Sequence, residues 1–276
     1  MPAVHSGNVA IFGAGGPVGC VATQALKDHY TLSLSDVRAI PEIAAEGKPQ
    51  SPGAPLPEIL PAPHTYRVVD ITDYKQVLEA ARGMDALVNV TVVRHFTGPA
   101  FGVNLIGAYN VAKAAVELGI RRIIHTGPFH PALDHNADYW WEHDLIDDVP
   151  LHPAGDRYAL SKFLGGEVTR IFAEAHGLDV VTFLYCHFGP ADGGSRPDGS
   201  GTHPFSTSWE DCGEAFLYGL RAPEMPRPYE PFFICSPLPH GKYRTDKARR
   251  LLGWEAKHDF RRLWIRSAAA ASEASA

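Results

Sequence analysis

The sequence is poor in several features that mark particular classes of protein. Its four cysteines, Cys20, Cys186, Cys212 and Cys235, lie far apart and form no CxxC pair. We therefore expect reduced thiols in a cytoplasmic protein, not a disulfide framework. No apolar run reaches the roughly 18 residues that a membrane-spanning helix needs. Residues 1–7 also lack the basic segment and apolar core of a secretion signal.

The charge balance and the histidine spacing argue against two further classes. The 276 residues include 25 Lys and Arg against 31 Asp and Glu, a net charge of −6. This balance argues against nucleic acid or an anionic membrane as partner. No HxxxH or HExxH spacing occurs among the five histidines near the middle of the chain, so no metal site is expected. These histidines are His125, His130, His135, His143 and His152.

A glycine-rich turn close to the N-terminus is the main positive signal. The apolar residues 9–12 predict a short strand, and an apolar helical pattern begins directly after the glycines. Free N–H groups at a helix start favour an anion, and glycines allow the close approach of a diphosphate. The spacing is GxxGxxG, so the stretch predicts a dinucleotide site, with an ordinary glycine-rich turn as the alternative. The predicted phosphate-binding residues are Gly13, Gly15, Gly16, Pro17, Val18 and Gly19.

Acidic residues follow the next two predicted strands. Asp36 lies about 20 residues beyond the glycines, where a carboxylate accepts hydrogen bonds from the adenosine ribose. A carboxylate there repels a 2′-phosphate, so NAD is favoured over NADP, although Arg38 could soften this preference. An ordinary loop acid is the alternative. Asp70 and Ile71 are expected to flank the adenine, while Thr72 or Asp73 can cap the next helix.

Strand and helix patterns alternate along the chain, which predicts an α/β fold with a doubly wound parallel sheet. Residues 41–63 contain many prolines and predict an irregular surface excursion. The predicted strands are 31–35, 66–69, 86–93, 122–126, 180–184 and 232–235. The predicted helices after the first are 74–82, 99–118, 158–176, 209–220 and 245–252.

Tyr158 and Lys162 carry the predicted chemistry. Residues four apart lie on one helical face, so the ammonium stabilises the phenolate of the tyrosine. Such a tyrosine exchanges a proton with a substrate hydroxyl near neutral pH. The alternative is a surface Tyr/Lys pair on an amphipathic helix. The preceding dinucleotide turn favours the catalytic interpretation.

These motifs together resemble an extended short-chain dehydrogenase/reductase of the NAD-dependent epimerase/dehydratase family. The resemblance extends over most of the chain and is nearest to short members similar to uronate dehydrogenases. Its motifs are GAGGPVG (13–19), DITD (70–73), NLIGAYNV (104–111), YALSK (158–162), FGP (188–190), WEDCGEA (209–215) and KARRLLGW (247–254).

The resemblance implies a Rossmann-type domain over residues 1–184, a small interleaved substrate lobe over 185–266 and a frayed tail over 267–276. It implies bound NAD, Tyr158 as general acid/base and Lys162 as its partner. Val90, Thr91, Asn104 and His187 are further expected cofactor contacts. Because the long helices of this family pair across a two-fold axis, a homodimer is expected.

One departure from the family concerns the serine that follows the fifth strand. Here the strand continues into Thr126, Gly127 and Pro128, so the expected serine positions carry no hydroxyl. Thr126, His130 or a water molecule replaces it, or the catalytic role is degraded.

The substrate side is predicted from two loops. Arg196, His130 and Trp140 are the candidate contacts, although Arg196 fits a solvated loop at least as well, and a tryptophan pair in a long loop more often anchors that loop on the protein body. The sequence therefore predicts an NAD-dependent oxidoreductase acting on a sugar or sugar acid. The alternatives are a nucleotide-sugar epimerase or dehydratase, and a non-catalytic NAD(H)-binding sensor.

Overall fold

Seven parallel strands form one sheet within the residues that the structure describes. The structure is a computed structural model and describes residues 3–51, 53–94, 99–128, 157–191, 205–238 and 241–261. The strands are β1 (Asn8–Phe12), β2 (Thr31–Asp36), β3 (Thr65–Val68), β4 (Ala86–Asn89), β5 (Arg122–Pro128), β6 (Asp179–Tyr185), β7 (His187–Gly189), β8 (Ser206–Ser208) and β9 (Tyr229–Phe233). The sheet order is β3-β2-β1-β4-β5-β6-β9, while β7 and β8 pair separately. The predicted doubly wound, Rossmann-type sheet is therefore confirmed.

Helices cover both faces of this sheet. They are α1 (Pro17–Leu26), α2 (Ile40–Ala45), α3 (Tyr74–Ala81), α4 (Pro99–Phe101), α5 (Gly107–Leu118), α6 (Arg157–His176), α7 (Trp209–Arg221) and α8 (Asp246–Leu252). A π turn over Gly102–Ile106 joins α4 to α5. Apolar residues of α1, α7 and α8 share one core cluster, and those of α3, α5 and α6 share the other. No helix in the described ranges has the length and apolarity to cross a bilayer.

The two cores follow from the alternation of side chains along each strand. In β1, Val9 and Ile11 join the first cluster, whereas Ala10 and Phe12 join the second. Successive side chains of a strand point to opposite faces, so an unbroken apolar run fits a strand covered on both sides. Each fully buried Val, Ile or Phe contributes about 1.5–3 kcal/mol.

Several predicted boundaries are wrong for local reasons. β4 ends at Asn89 and not at residue 93, because the Asn89 side chain accepts hydrogen bonds from Thr91 N (3.1 Å) and Oγ1 (2.7 Å) and turns the chain. β5 continues to Pro128, which pairs with Tyr185 of β6. The excursion after β2 is not wholly irregular, since α2 begins at Ile40 and carries a proline in its first turn. The last strand of the sheet is residues 229–233, where the pattern predicts 232–235.

Candidate active site

The turn between β1 and α1 lies at the carboxyl edge of the sheet. Gly13 has a φ of +87°, which strongly favours glycine, and a Cβ there would lie 3.0 Å from the Thr91 nitrogen. A Cβ on Gly19 would lie 2.2 Å from Gly13 O, so this glycine allows α1 to pack closely on the turn. Helix α1 starts with Gly16 as N-cap and Pro17 in its first turn, without a side-chain cap. The start of the helix is therefore open to an anion.

A cavity of about 730 Å³, here called the larger cavity, extends from this turn along the carboxyl ends of β1, β2, β3 and β4. Gly15 and Gly19 are not among its lining residues, because Gly15 packs against Ile43 and Asp36, and Gly19 packs against Gly13 and Ala14 of the turn. A second cavity of about 170 Å³, the smaller cavity, shares Val90, Val92 and Arg94 with it, so the two adjoin. The predicted cofactor residues that line the larger cavity are Gly13, Gly16, Pro17, Asp36, Arg38, Asp70, Ile71, Val90 and Thr91.

Asp36 is held by backbone donors at the end of β2. Its carboxylate accepts hydrogen bonds from Gly15 N (3.0 Å) and Val37 N (2.8 Å). Burial raises the pKa of Asp36 above its ordinary value, although these two N–H groups act in the opposite direction. Arg38 forms an ion pair with Glu46, so its charge is partly neutralised at the rim of the cavity.

Tyr158 and Lys162 line the smaller cavity, together with Val18 from the start of α1. Lys162 is only 5% exposed, and its Nζ lies 3.4 Å from Thr91 O. Burial lowers the pKa of the Lys162 ammonium to about 8. Burial and the Lys162 charge lower the pKa of the neighbouring His125 well below its usual value, so this imidazole is neutral at pH 7.

Thr126, Gly127 and Pro128 also line the smaller cavity. Thr126 Oγ1 donates a hydrogen bond to Asn89 O (3.2 Å), so its hydroxyl proton is already used in a bond to the neighbouring strand β4. Gly127 has no side chain, and proline offers neither a hydroxyl nor a backbone N–H. This wall of the cavity is therefore poor in donors where the family carries serine.

Asn104 fixes the walls without lining either cavity. Its Oδ1 accepts from Val93 N (3.0 Å), and its Nδ2 donates to Val93 O (2.9 Å) and to Ser161 Oγ (2.9 Å). A Cβ on Gly165 would lie 2.1 Å from Asn104 O, so glycine lets α6 approach here. Asn104 thus ties the segment after β4 to the helix that carries Tyr158.

One further predicted residue that the structure describes, His187, is not brought to either cavity. Its Nδ1 lies 3.5 Å from Ser206 Oγ. His130, Trp140 and Arg196 lie outside the described residues. Among the described residues, no group of three His, Cys, Asp or Glu side chains could hold a metal ion.

Two contacts were missed by sequence reasoning. Arg94 lines both cavities, and Gln50 Nε2 donates to Gly15 O (3.1 Å) from the proline-rich excursion. Arg94 closely follows a buried strand, which is a signal for residues at the ligand-binding edge of such a sheet. Gln50 has no comparable signal, since it lies in a stretch without periodicity.

Comparison with known proteins agrees with this architecture. A family model described as "NAD dependent epimerase/dehydratase family" matches residues 9–209. The chain belongs to this family. The matched range includes the glycine turn, Asp36 and the Tyr158/Lys162 pair.

This epimerase/dehydratase family member has characterised relatives at low identity. It is 26% identical to a uronate dehydrogenase from Pseudomonas putida over 62% of this chain and 57% of the relative. It is 27% identical to an L-arabinose 1-dehydrogenase (NAD(P)(+)) from Haloferax volcanii over 63% of this chain and 64% of the relative. The chain thus spans less than two thirds of the length of either enzyme.

The solved structure of uronate dehydrogenase from Agrobacterium tumefaciens superimposes on this chain with a TM-score of 0.70. The match covers 96% of this chain and 90% of that one, at 22% identity. At this identity the likeness concerns the fold.

Proposed function

We propose that this protein is an NAD-dependent oxidoreductase that acts on a hydroxyl or carbonyl of a sugar or sugar acid. The observation that carries the proposal is the lining of the smaller cavity by Tyr158 and Lys162, directly beside the larger cavity at the glycine turn. The relatives named for uronate and arabinose oxidation support the substrate class.

The two cavities fit a dinucleotide. A Cβ on Gly16 would meet nothing closer than Gly13 O at 3.5 Å, so this glycine leaves space that a diphosphate can use. Asp36 and Ile71 would hold the adenosine, and Tyr158 and Val18 would line the site of the nicotinamide. When bound, the nicotinamide accepts a hydride from the substrate carbon.

Tyr158 takes the proton of the substrate hydroxyl as that carbon is oxidised, and returns it in the reverse direction. Lys162 keeps the phenol acidic and holds a ribose hydroxyl of the cofactor. Its ammonium is already directed by the Thr91 carbonyl. Asn104 is a positioning residue, because it acts on Val93 and Ser161 and not on the reacting atoms.

A direct test measures NADH formation with hexuronates, aldoses and nucleotide sugars. Tyr158→Phe should lower kcat by at least about 100-fold and leave the Kd of NAD within a factor of about three. A variant as fast as the wild type would refute the mechanism. A wild type that turns over nucleotide sugars alone would favour an epimerase or dehydratase.

Asp36 supports NAD over NADP. Asp36→Ala should raise the Kd of NAD by about tenfold and so bring the Kd values of NAD and NADP closer together. Glu46→Gln, which frees Arg38 from its ion pair, should improve NADP binding further. Equal affinity of the wild type for both nucleotides would contradict this assignment.

A non-catalytic NAD(H) sensor is the second candidate, and Gly127 with Pro128 favours it. Such a protein binds NAD tightly and reduces none of it with any sugar of the panel. The Tyr158/Lys162 pair favours the enzyme.

The remaining organisation is also part of the proposal. Residues 1–184 form the cofactor domain and 185–266 the interleaved lobe, supported by the separate β7–β8 sheet and by the entry of β9 into the main sheet. A homodimer through α5 and α6 is supported by the exposed side chains Ile106, Tyr109 and Ile171. The four free cysteines support a cytoplasmic location.

A further inference from the structure

Arg94 lies where the two cavities meet. It lines both of them, its side chain is exposed, and no described residue forms a hydrogen bond or ion pair with it. Building on the proposed function, we propose that Arg94 binds the carboxylate of a sugar-acid substrate and so selects uronic acids over neutral sugars.

The backbone just before Arg94 is held by two side-chain amides. Asn89 Oδ1 holds Thr91, and Asn104 holds both the N–H and the C=O of Val93. A cation on a fixed backbone loses less entropy when it binds a ligand. The backbone leading to Arg94 is therefore held before any ligand arrives, and its guanidinium has no hydrogen-bond or ion-pair partner within the described residues.

The charges of the smaller cavity favour an anionic substrate. Among the described residues that line it, the charged side chains are Arg94 and Lys162, and both are cationic. Lys162 is buried and contacts Thr91 O, whereas Arg94 is exposed. A sugar whose reacting hydroxyl meets Tyr158 can extend its far end towards Arg94. A guanidinium binds a carboxylate through two parallel hydrogen bonds.

A bound cofactor would bring a second anion, its diphosphate, into the larger cavity that Arg94 also lines. The open start of α1, where Gly16 and Pro17 line this cavity, would hold the diphosphate. The backbone donors there leave Arg94 available for the substrate.

The test compares binding of two sugars that differ in one group. D-glucuronate and D-glucose, which has a hydroxymethyl group in place of the carboxylate, are titrated calorimetrically into the NADH-loaded protein. Arg94→Gln should raise the Kd of glucuronate about 10- to 100-fold and change that of glucose less than threefold. The Kd of NAD should also change less than threefold. Arg94→Lys should retain part of the glucuronate affinity.

Two further variants serve as comparisons. Arg82→Gln removes one positive charge from an exposed pair with Glu79 and should leave all three affinities unchanged. Arg196→Gln examines the loop arginine that the sequence also suggests.

Four results would overturn the inference. The first is an equal loss of affinity for both sugars in Arg94→Gln, and the second is a loss of NAD affinity in place of glucuronate affinity in that variant. The third is a preference for glucuronate over glucose that is lost in Arg196→Gln and kept in Arg94→Gln. The fourth is a wild type that does not bind glucuronate. Because the readout is binding, it is independent of turnover. A protein that binds glucuronate through Arg94 but forms no NADH with any sugar supports the inference and refutes the proposed oxidoreductase activity.

Discussion

Replacing Lys162 by methionine should stabilise the folded protein at pH 7 while removing its proposed activity. Burial lowers the pKa of this ammonium from 10.5 to about 8. At about 1.4 kcal/mol per pH unit, the buried charge costs about 3 kcal/mol at neutral pH. Methionine has a similar length and no charge, but it loses the contact to Thr91 O, worth about 1 kcal/mol. The expected net gain is therefore about 2 kcal/mol.

The pH dependence of this gain has a definite sign. Because the folded-state pKa is below the unfolded value, the folded chain loses its proton first as the pH rises. The penalty is fully present below about pH 8 and is gone above about pH 10.5. The stability of the wild type relative to Lys162→Met should therefore rise between these two values.

Urea denaturation of both proteins without cofactor, at pH 7 and at pH 9.5, measures this difference. At pH 7 the midpoint of thermal unfolding should also be higher in the variant by about 4–8 °C. A methionine variant that is less stable than the wild type at pH 7, or a difference that stays constant with pH, would refute the reasoning.

Three further substitutions separate folding from binding. Gly16→Ala should keep the stability of the wild type, because nothing lies within 3.5 Å of the new methyl group, but it should weaken NAD binding at least tenfold in a fluorescence titration. Gly189→Ala, where no atom lies within 4 Å of the new methyl group, should change neither the stability nor the NAD affinity. Asn104→Ala removes three hydrogen bonds of a buried side chain and should lower the free energy of unfolding by about 2–4 kcal/mol in urea, together with NAD affinity. Arg122→Met leaves the Asp179 carboxylate buried without its ion-pair partner (3.0 Å) and should lower the free energy of unfolding by about 3–5 kcal/mol. Adding Asp179→Asn should restore part of this loss in the double variant. Full stability of Asn104→Ala or of Arg122→Met would contradict the role given to that residue.

The sheet could be predicted because its signal is local. The apolar run of β1, the glycines after it and the acids at the ends of β2 and β3 are each recognised from a few neighbouring residues, and right-handed crossovers between parallel strands leave few ways to arrange them. For the same reason Asp36, Asp70 and Ile71, which follow parallel strands, line one cavity.

The parts that could not be predicted depend on contacts distant in sequence or on one side chain competing for the backbone. The end of β4 is set by the amide of Asn89, which an apolar pattern does not record. Gln50 reaches Gly15 across 35 positions of the chain. Asn104 was expected at the cofactor, yet its amide groups are used by Val93 and Ser161. His187 was also expected there but lines neither cavity.

Because residues 102–106 form a π turn, the orientation of the side chains in this helical segment depends on the number of its residues as well as on their identity. A π turn holds about one residue more than an α turn, and each residue of a helix corresponds to a rotation of about 100°. Deleting one residue here would allow a continuous α-helix. It would also rotate Asn104 by roughly that angle relative to Val111 and Ala115, which face the sheet. We therefore expect this segment to tolerate a change of apolar side chain better than the insertion or deletion of a residue.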